Sequence, residues 1–305
     1  MSAAGGLIAL VAGVALVVWA ADIFVDGLLG TGRRLGVAPF TLTVVLSGLE
    51  TENLAAGIAT NAKGLPGAAA GTFLGGSTFL ALGVAGIGGV IAPMRAELPS
   101  RFALLTAIAP LPLLAVAIDG RISRPKGALL IGWFVIALII LARTGRALLA
   151  GEEHEQIRHP VPKLLIGLGV LTGGGWLLGE GLRATVRHLG VSPTLLGNTA
   201  VAATVEGEEL ARVAIPTRRG RPELALGNIT ATIVHFTSLN AGVIALIKPL
   251  NLNHATTHFY LPVAAASPAM LAAILLTRKR IGRIEGSALI TLYAAYLVIA
   301  ITIAS

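Results

Sequence analysis

The chain has 305 residues, 55% of them hydrophobic and 12% charged, with a formal net charge of +8 and a mean hydropathy of +0.83. A soluble domain carries about 25% charged residues, so this composition excludes one. The complete lack of cysteine excludes disulfides, thiolate metal centres and thioether-linked haem.

The apolar residues fall in ten runs, near 5–25, 36–62, 68–92, 101–118, 127–148, 163–184, 190–215, 223–247, 259–277 and 284–303. About 20 apolar residues take a helix across the hydrocarbon core, where backbone groups must satisfy one another. Leu7 to Ala21, Gly127 to Ala142 and Ser287 to Ile303 are almost free of charge. No segment alternates polar with apolar residues as a transmembrane barrel strand does. The first run lacks the basic start and cleavage site of a signal peptide and reads as a membrane helix. The longest polar interval, Gly151 to Lys163, reads as a linker, dividing the chain into halves at 1–150 and 163–305 with 151–162 between them. The fold class expected is an all-α polytopic membrane protein, with about ten transmembrane helices in two five-helix halves.

Placing the N-terminus outside puts 16 of the 23 Lys and Arg residues, Arg212 among them, in cytoplasmic loops. That bias favours both termini outside and explains the basic excess without nucleic acid. The cluster Arg121 to Lys126 runs against the trend.

The halves are related. Leu35-Gly-Val-Ala-Pro39 recurs as Leu189-Gly-Val-Ser-Pro193, with Asp26 and Glu180 at matching distances before them. At a spacing of 156, Glu50 matches Glu206, Glu52 matches Glu208, Asn53 faces Glu209, and Gly64, Pro66 and Gly71 match Gly220, Pro222 and Gly227. With five helices per half, the second half enters the membrane from the opposite side. Such inverted repeats are a transporter architecture with a midplane site at the repeat interface.

Glu50, Glu52, Glu206, Glu208 and Glu209 fall inside the second and seventh spans. Each charge at the bilayer centre costs about 2.5–3.5 kcal/mol on insertion scales, which makes an intramembrane carboxylate a functional candidate. Residues three apart share a helix face, so Glu206 sides with Glu209 and Glu50 with Asn53. Glu52 and Glu208 point roughly 100° away from Asn53 and Glu209. Converging carboxylate and amide oxygens make a hard-oxygen site for Ca²⁺, Na⁺, Mg²⁺ or Mn²⁺, with protons as competitors. Gly71 to Ser77 and Gly227 to Thr232 bring small and hydroxyl residues to the third and eighth spans, where they permit close packing and offer oxygens. Thr72, Ser77, Asn228 and Thr232 are open between the two roles, and His235 and Asn240 read equally as satisfied core groups. The candidate cation ligands are Glu50, Asn53, Glu206, Glu209, Glu52, Glu208, Ser77 and Thr232.

With these residues in place, the pattern resembles the cation/Ca²⁺ exchanger superfamily, the family of sodium/calcium exchangers. The resemblance rests on Asp26 to Pro39, the acidic helices and Arg219-Gly-Arg-Pro-Glu-Leu-Ala-Leu-Gly-Asn228. It implies ten helices in two inverted halves, each with a motif G-T-S-L-P-E followed by G-N-x-x-G-S-N. Gly48 to Asn53 and Thr204 to Glu209 stand over the first motif, so that Glu209 takes the place of the family's ion-binding glutamate and Asn53 that of its partner. The family's ligand serine is replaced by Glu50 and Glu206, and its kinking proline by Glu52 and Glu208. Gly76 and Thr232 stand at the serine of the second motif. A later ligand position falls on Leu80 and Phe236, which cannot coordinate.

The expected function is secondary antiport of Ca²⁺ or a similar cation against Na⁺ or H⁺, without a cofactor, in a prokaryotic plasma membrane. The expected partners are small inorganic cations and the lipid bilayer. No phosphate-binding G-x-x-x-x-G-K-[ST] is present. The alternatives are an H⁺-coupled antiporter of another cation and a degenerate ion-binding homologue that no longer transports. An intramembrane enzyme ranks last, because His154 and His159 are five apart in the linker rather than at the H-E-x-x-H spacing.

Overall fold

The protein is described by a computed structural model that covers residues 3–36, 39–46, 51–95, 98–146, 157–187 and 207–304. The first half contains α1 (Ala3–Leu35), α2 (Pro39–Leu46), α3 (Thr51–Ala62), α4 (Pro66–Thr78), a π-helical turn (Phe79–Val84) and α5 (Ala85–Ile91). It continues with β1 (Met94–Arg95), α6 (Ser100–Ile108), α7 (Leu111–Ala117), β2 (Arg121–Ile122) and α8 (Arg124–Arg146). The second half contains α9 (Pro160–Arg187), α10 (Gly207–Arg218), α11 (Pro222–Val234), a second π-helical turn (His235–Asn240), α12 (Ala241–Ile247) and β3 (Leu250–Asn251). A third π-helical turn (Thr256–Tyr260), α13 (Leu261–Arg278), β4 (Arg280–Ile281) and α14 (Arg283–Ala304) complete it.

Each of the ten apolar runs meets a helix. Among the described residues, seven stretches are long and apolar enough to cross a membrane. The sixth run is α9, while α2 with α3 and α10 are the described parts of the second and seventh. Among the described residues, the first run differs clearly, since α1 continues ten residues past the expected end at 25. The extension opens on a paired residue: Asp26 accepts from Lys163 at 2.9 Å and from Arg219 at 2.6 Å, and Arg219 also pairs with Asp22, one turn earlier, at 2.7 Å.

The repeat is visible in the backbone. α4, its π turn and α5 have 13, 6 and 7 residues, and so do α11, its π turn and α12, 156 positions later. Gly64 and Gly220 hold φ of +78° and +74°, a left-handed turn that glycine adopts without steric cost. Pro66 and Pro222 then open the next helix, where a missing N–H is harmless and the fixed φ suits the first turn. The Gly-x-Pro signal read in both halves is therefore a helix–turn–helix corner. The helices it begins form the third and eighth spans, the most buried of those described.

The two halves interlock through exchanged contacts. β1 pairs antiparallel with β4, and β2 with β3, so each short ladder takes one strand from each half. Glycines follow the same rule. A Cβ placed on Gly86 would lie 2.9 Å from the Gly286 carbonyl oxygen, and one on Gly242 would lie 2.8 Å from that of Gly127. Gly86 and Gly242 are repeat mates, as are Gly127 and Gly286. Likewise Gly57 of α3 receives Ile244 of α12, and its mate position Val213 of α10 packs on Gly88 of α5. The acidic helices thus lie against the central helix of the opposite half, about a pseudo-two-fold axis.

Apolar packing divides in two. The main core draws on both halves, including Phe73, Leu80, Phe102, Ile229 and Phe236. A smaller cluster joins Val17, Ala20, Ala21, Phe24 and Leu28 of α1 to Leu164 and Leu171 of α9, with Ala211 of α10 at its edge. Backbone contact makes this pairing close, since a Cβ on Gly167 would stand 2.6 Å from Phe24 Cα.

Because their neighbours at the crossing are backbone atoms, Gly86→Val and Gly242→Val should each destabilise the protein by about 1–3 kcal/mol or more through overpacking. Gly132, which has nothing within 4 Å, should tolerate alanine unchanged. Melting in detergent, followed by size-exclusion chromatography after heating, checks both expectations.

Candidate functional site

Glu208 and Glu209 lie in the first described turn of α10. Glu209 has no exposed surface, and Glu208 and Arg212 are 4% and 5% exposed. The three form one cluster. Arg212 donates from Nη1 to Glu209 Oε1 at 2.7 Å and from Nη2 to Glu208 Oε1 at 2.8 Å. The amide of Asn228, on α11, donates to Glu209 Oε2. On the side of α1, the guanidinium carbon lies 6.0 Å from the centre of the Phe24 ring, within reach of a cation–π contact. The site therefore joins the acidic helix, the central helix of its own half and the α1–α9 pair.

The arginine corrects the reading of the sequence. Arg212 belongs to no cytoplasmic loop; it sits one turn beyond Glu208 and Glu209 inside the helix. The 100° offset between the two carboxylates does not separate them, because the long arginine fork spans both. Asn228, open between packing and binding, is joined to Glu209 directly.

The other candidates are placed as follows. Glu50, Glu206 and the side chain of Glu52 lie outside the described residues. Asn53 is buried on α3, and Thr232 is buried on α11. Ser77, at the end of α4, is fully buried, and its hydroxyl has no hydrogen-bond partner among the described residues. Leu80 and Phe236, at the positions unable to coordinate, are fully buried in the core. Among the described residues no three His, Asp or Glu side chains come together as a metal group.

Several polar residues of the eighth span serve packing instead. His235 Nδ1 lies 2.8 Å from the Ala231 carbonyl, and its ring meets Phe134 edge-on at 4.7 Å. Thr230 shares a 2.8 Å hydroxyl bond with Thr106. Thr237 and Trp133 both donate to the Ala109 carbonyl, at 3.4 and 3.1 Å, beside Pro110. Both bonds fall at the junction where α6 ends and α7 begins, so they tie that break to the neighbouring helices. Asp26 is engaged by Lys163 and Arg219 and stands apart from the carboxylate cluster.

Comparison with known proteins agrees with this architecture. The chain is 28% identical over 303 residues to CaxA of Alkalimonas amylolytica, described as a candidate antiporter, covering 93% of this chain and 95% of that one. It is 25% identical over 262 residues to the inner membrane protein YrbG of Escherichia coli K12, covering 79% of each. Over a shorter 111 residues, 36% of this chain and 32% of the other, it is 32% identical to the sodium/calcium exchanger MaX1 of Methanosarcina acetivorans. Its fold matches that of the sodium-calcium exchanger NCX_Mj soaked with 2.5 mM Na⁺ and 10 mM Sr²⁺, with a TM-score of 0.81 at 22% identity, covering 96% of this chain and 98% of that one. The family model described as sodium/calcium exchanger protein matches residues 5–143 and 161–302. With both five-helix halves matched by that one model, the chain belongs to the sodium/calcium exchanger protein family.

Proposed function

We propose that the chain is a secondary antiporter that exchanges Ca²⁺, or a cation of similar chemistry, for Na⁺ or H⁺ by alternating access. The observation that carries this reading is Glu209, a carboxylate with no exposed surface on an acidic helix that crosses the partner half. Burying that charge in hydrocarbon is expensive, and a carboxylate beside an amide is hard-cation chemistry. Repeat halves meeting about a membrane-plane axis supply the symmetry that alternating access requires. Relatives named as exchangers and a candidate antiporter support the same activity.

In this reading Glu50, Asn53, Glu206 and Glu209 supply the main ligands, with Glu52, Glu208, Ser77 and Thr232 around them. The halves at 1–150 and 163–305, joined by the linker at 151–162, supply the two inverted repeats, with both termini outside a prokaryotic plasma membrane. A second reading, H⁺-coupled exchange of a cation other than Ca²⁺, is favoured by one feature: apolar Leu80 and Phe236 fill the core where the resemblance places a further oxygen ligand.

Uptake of ⁴⁵Ca²⁺ into proteoliposomes, with an outward Na⁺ gradient or an outward H⁺ gradient, tests the proposal. Uptake driven by at least one gradient is expected. No uptake of Ca²⁺ or Mn²⁺ under either, from folded protein, contradicts antiport of a divalent cation. Glu209→Gln keeps one acceptor oxygen, enough for Arg212 or Asn228 but not both, and removes the charge. It should fold and lose at least about tenfold in rate, the scale set by a lost charged contact of roughly 1.5–3 kcal/mol. Wild-type rates in that variant would remove Glu209 from the site.

A further inference from the structure

The proposed cation site already holds a cation of its own. Arg212 occupies one oxygen of Glu209 at 2.7 Å and one of Glu208 at 2.8 Å, and Asn228 occupies the second oxygen of Glu209. A metal ion such as Ca²⁺ sits about 2.3–2.6 Å from its oxygens. The guanidinium takes one lone-pair site of Glu209 Oε1 and sets a positive charge against any ion approaching the remaining one, so the two compete for the carboxylate. Resting on the reading of Glu209 as a cation ligand, we infer that Arg212 is a tethered counter-ion that competes with the transported cation for Glu208 and Glu209.

Three features set this arginine apart from an ordinary helix-surface pair. Spacings of three and four residues give weak, screened contacts when exposed, but here all three side chains are at most 5% exposed. A buried charge pair gains little net stability over apolar packing, so its presence points to use of the charge. The guanidinium also has a second neighbour to lean on: the Phe24 ring at 6.0 Å, carried by α1 and backed by the close contact with Gly167 of α9. Arginine stays charged and its fork matches two carboxylates at once, which suits a permanent occupant of the empty site.

The consequence is a coupled exchange. A cation arriving at Glu209 displaces the guanidinium toward Phe24, and cation release lets the fork close again over both carboxylates. The empty site never presents bare, uncompensated carboxylates to the hydrocarbon interior, and the intrinsic grip of the oxygens on the substrate is reduced by the competitor. Arg212 is thus a positioning residue that sets affinity, rather than a ligand.

Binding of ⁴⁵Ca²⁺ to the full-length protein in detergent, followed by scintillation proximity, separates the possibilities. Arg212→Gln should bind Ca²⁺ at least tenfold more tightly than wild type. A residue with a merely structural role would instead weaken binding when replaced. Arg212→Lys should fall between the two, because one ammonium cannot span both carboxylates. Equal or weaker binding in Arg212→Gln overturns the inference. If that variant does not fold, Arg212→Lys decides: tighter binding supports the competition, and equal or weaker binding overturns it. Absence of Ca²⁺, Mn²⁺ and Na⁺ binding in wild type and variants alike contradicts the cation site itself, and the inference with it.

Discussion

A carboxylate without exposed surface, in a chain whose surroundings are hydrocarbon, has to be answered by other polar groups. Around Glu209 that demand organises the centre of the molecule. The answering groups come from Arg212 on the same helix and from Asn228 on the next, and the arginine in turn meets Phe24 of α1. Removing the acidic residue would leave a buried guanidinium and amide with one acceptor fewer, and breaking such a pair costs about 3–5 kcal/mol. The cluster is therefore both an expense of folding and the chemical feature for which the fold is suited.

What lets polar groups from several helices reach one another is the near absence of side chains where the helices cross. Gly57 and Gly88 bring the acidic helices onto the central helices of the opposite half, and Gly86, Gly127, Gly242 and Gly286 bring backbones almost into contact. In lipid, where apolar side chains gain nothing by leaving their surroundings, such close backbone packing supplies the association energy. The exchange of partners across the pseudo-two-fold axis also means that neither half completes its own core. By contrast, α1 and α9 form an apolar cluster of their own, joined to the rest through Phe24, Ala211 and the ion pairs of Asp22 and Asp26 with Arg219.

Much of this was legible in the amino-acid order. Charge-free runs locate helices because lipid permits no other open structure, and the matched Gly64-Leu-Pro66 and Gly220-Arg-Pro222 reveal the repeat because only those residue types make that corner. The intramembrane glutamates announce themselves by their cost. Arg212 was less legible: a basic residue close to the end of an apolar run reads as a loop residue, although its spacing of three and four from Glu209 and Glu208 is the signal of a partner. The extra length of α1 was hidden for a similar reason, since Asp26 looks like a solvated end until Lys163 and Arg219 are brought beside it. Glycine contacts leave no periodic trace at all, being defined by which distant backbone fills the space.

The central claim is that a transported cation is bound by Glu209. Anomalous diffraction from crystals soaked in Sr²⁺ tests it most directly, because strontium can stand in for Ca²⁺ and is located without assumptions about the protein. The account predicts anomalous density at bonding distance from the Glu209 carboxylate, with the Arg212 guanidinium displaced from its oxygen. Sr²⁺ found only at the protein surface, with Glu209 still held by Arg212 and Asn228 at saturating concentration, would contradict it.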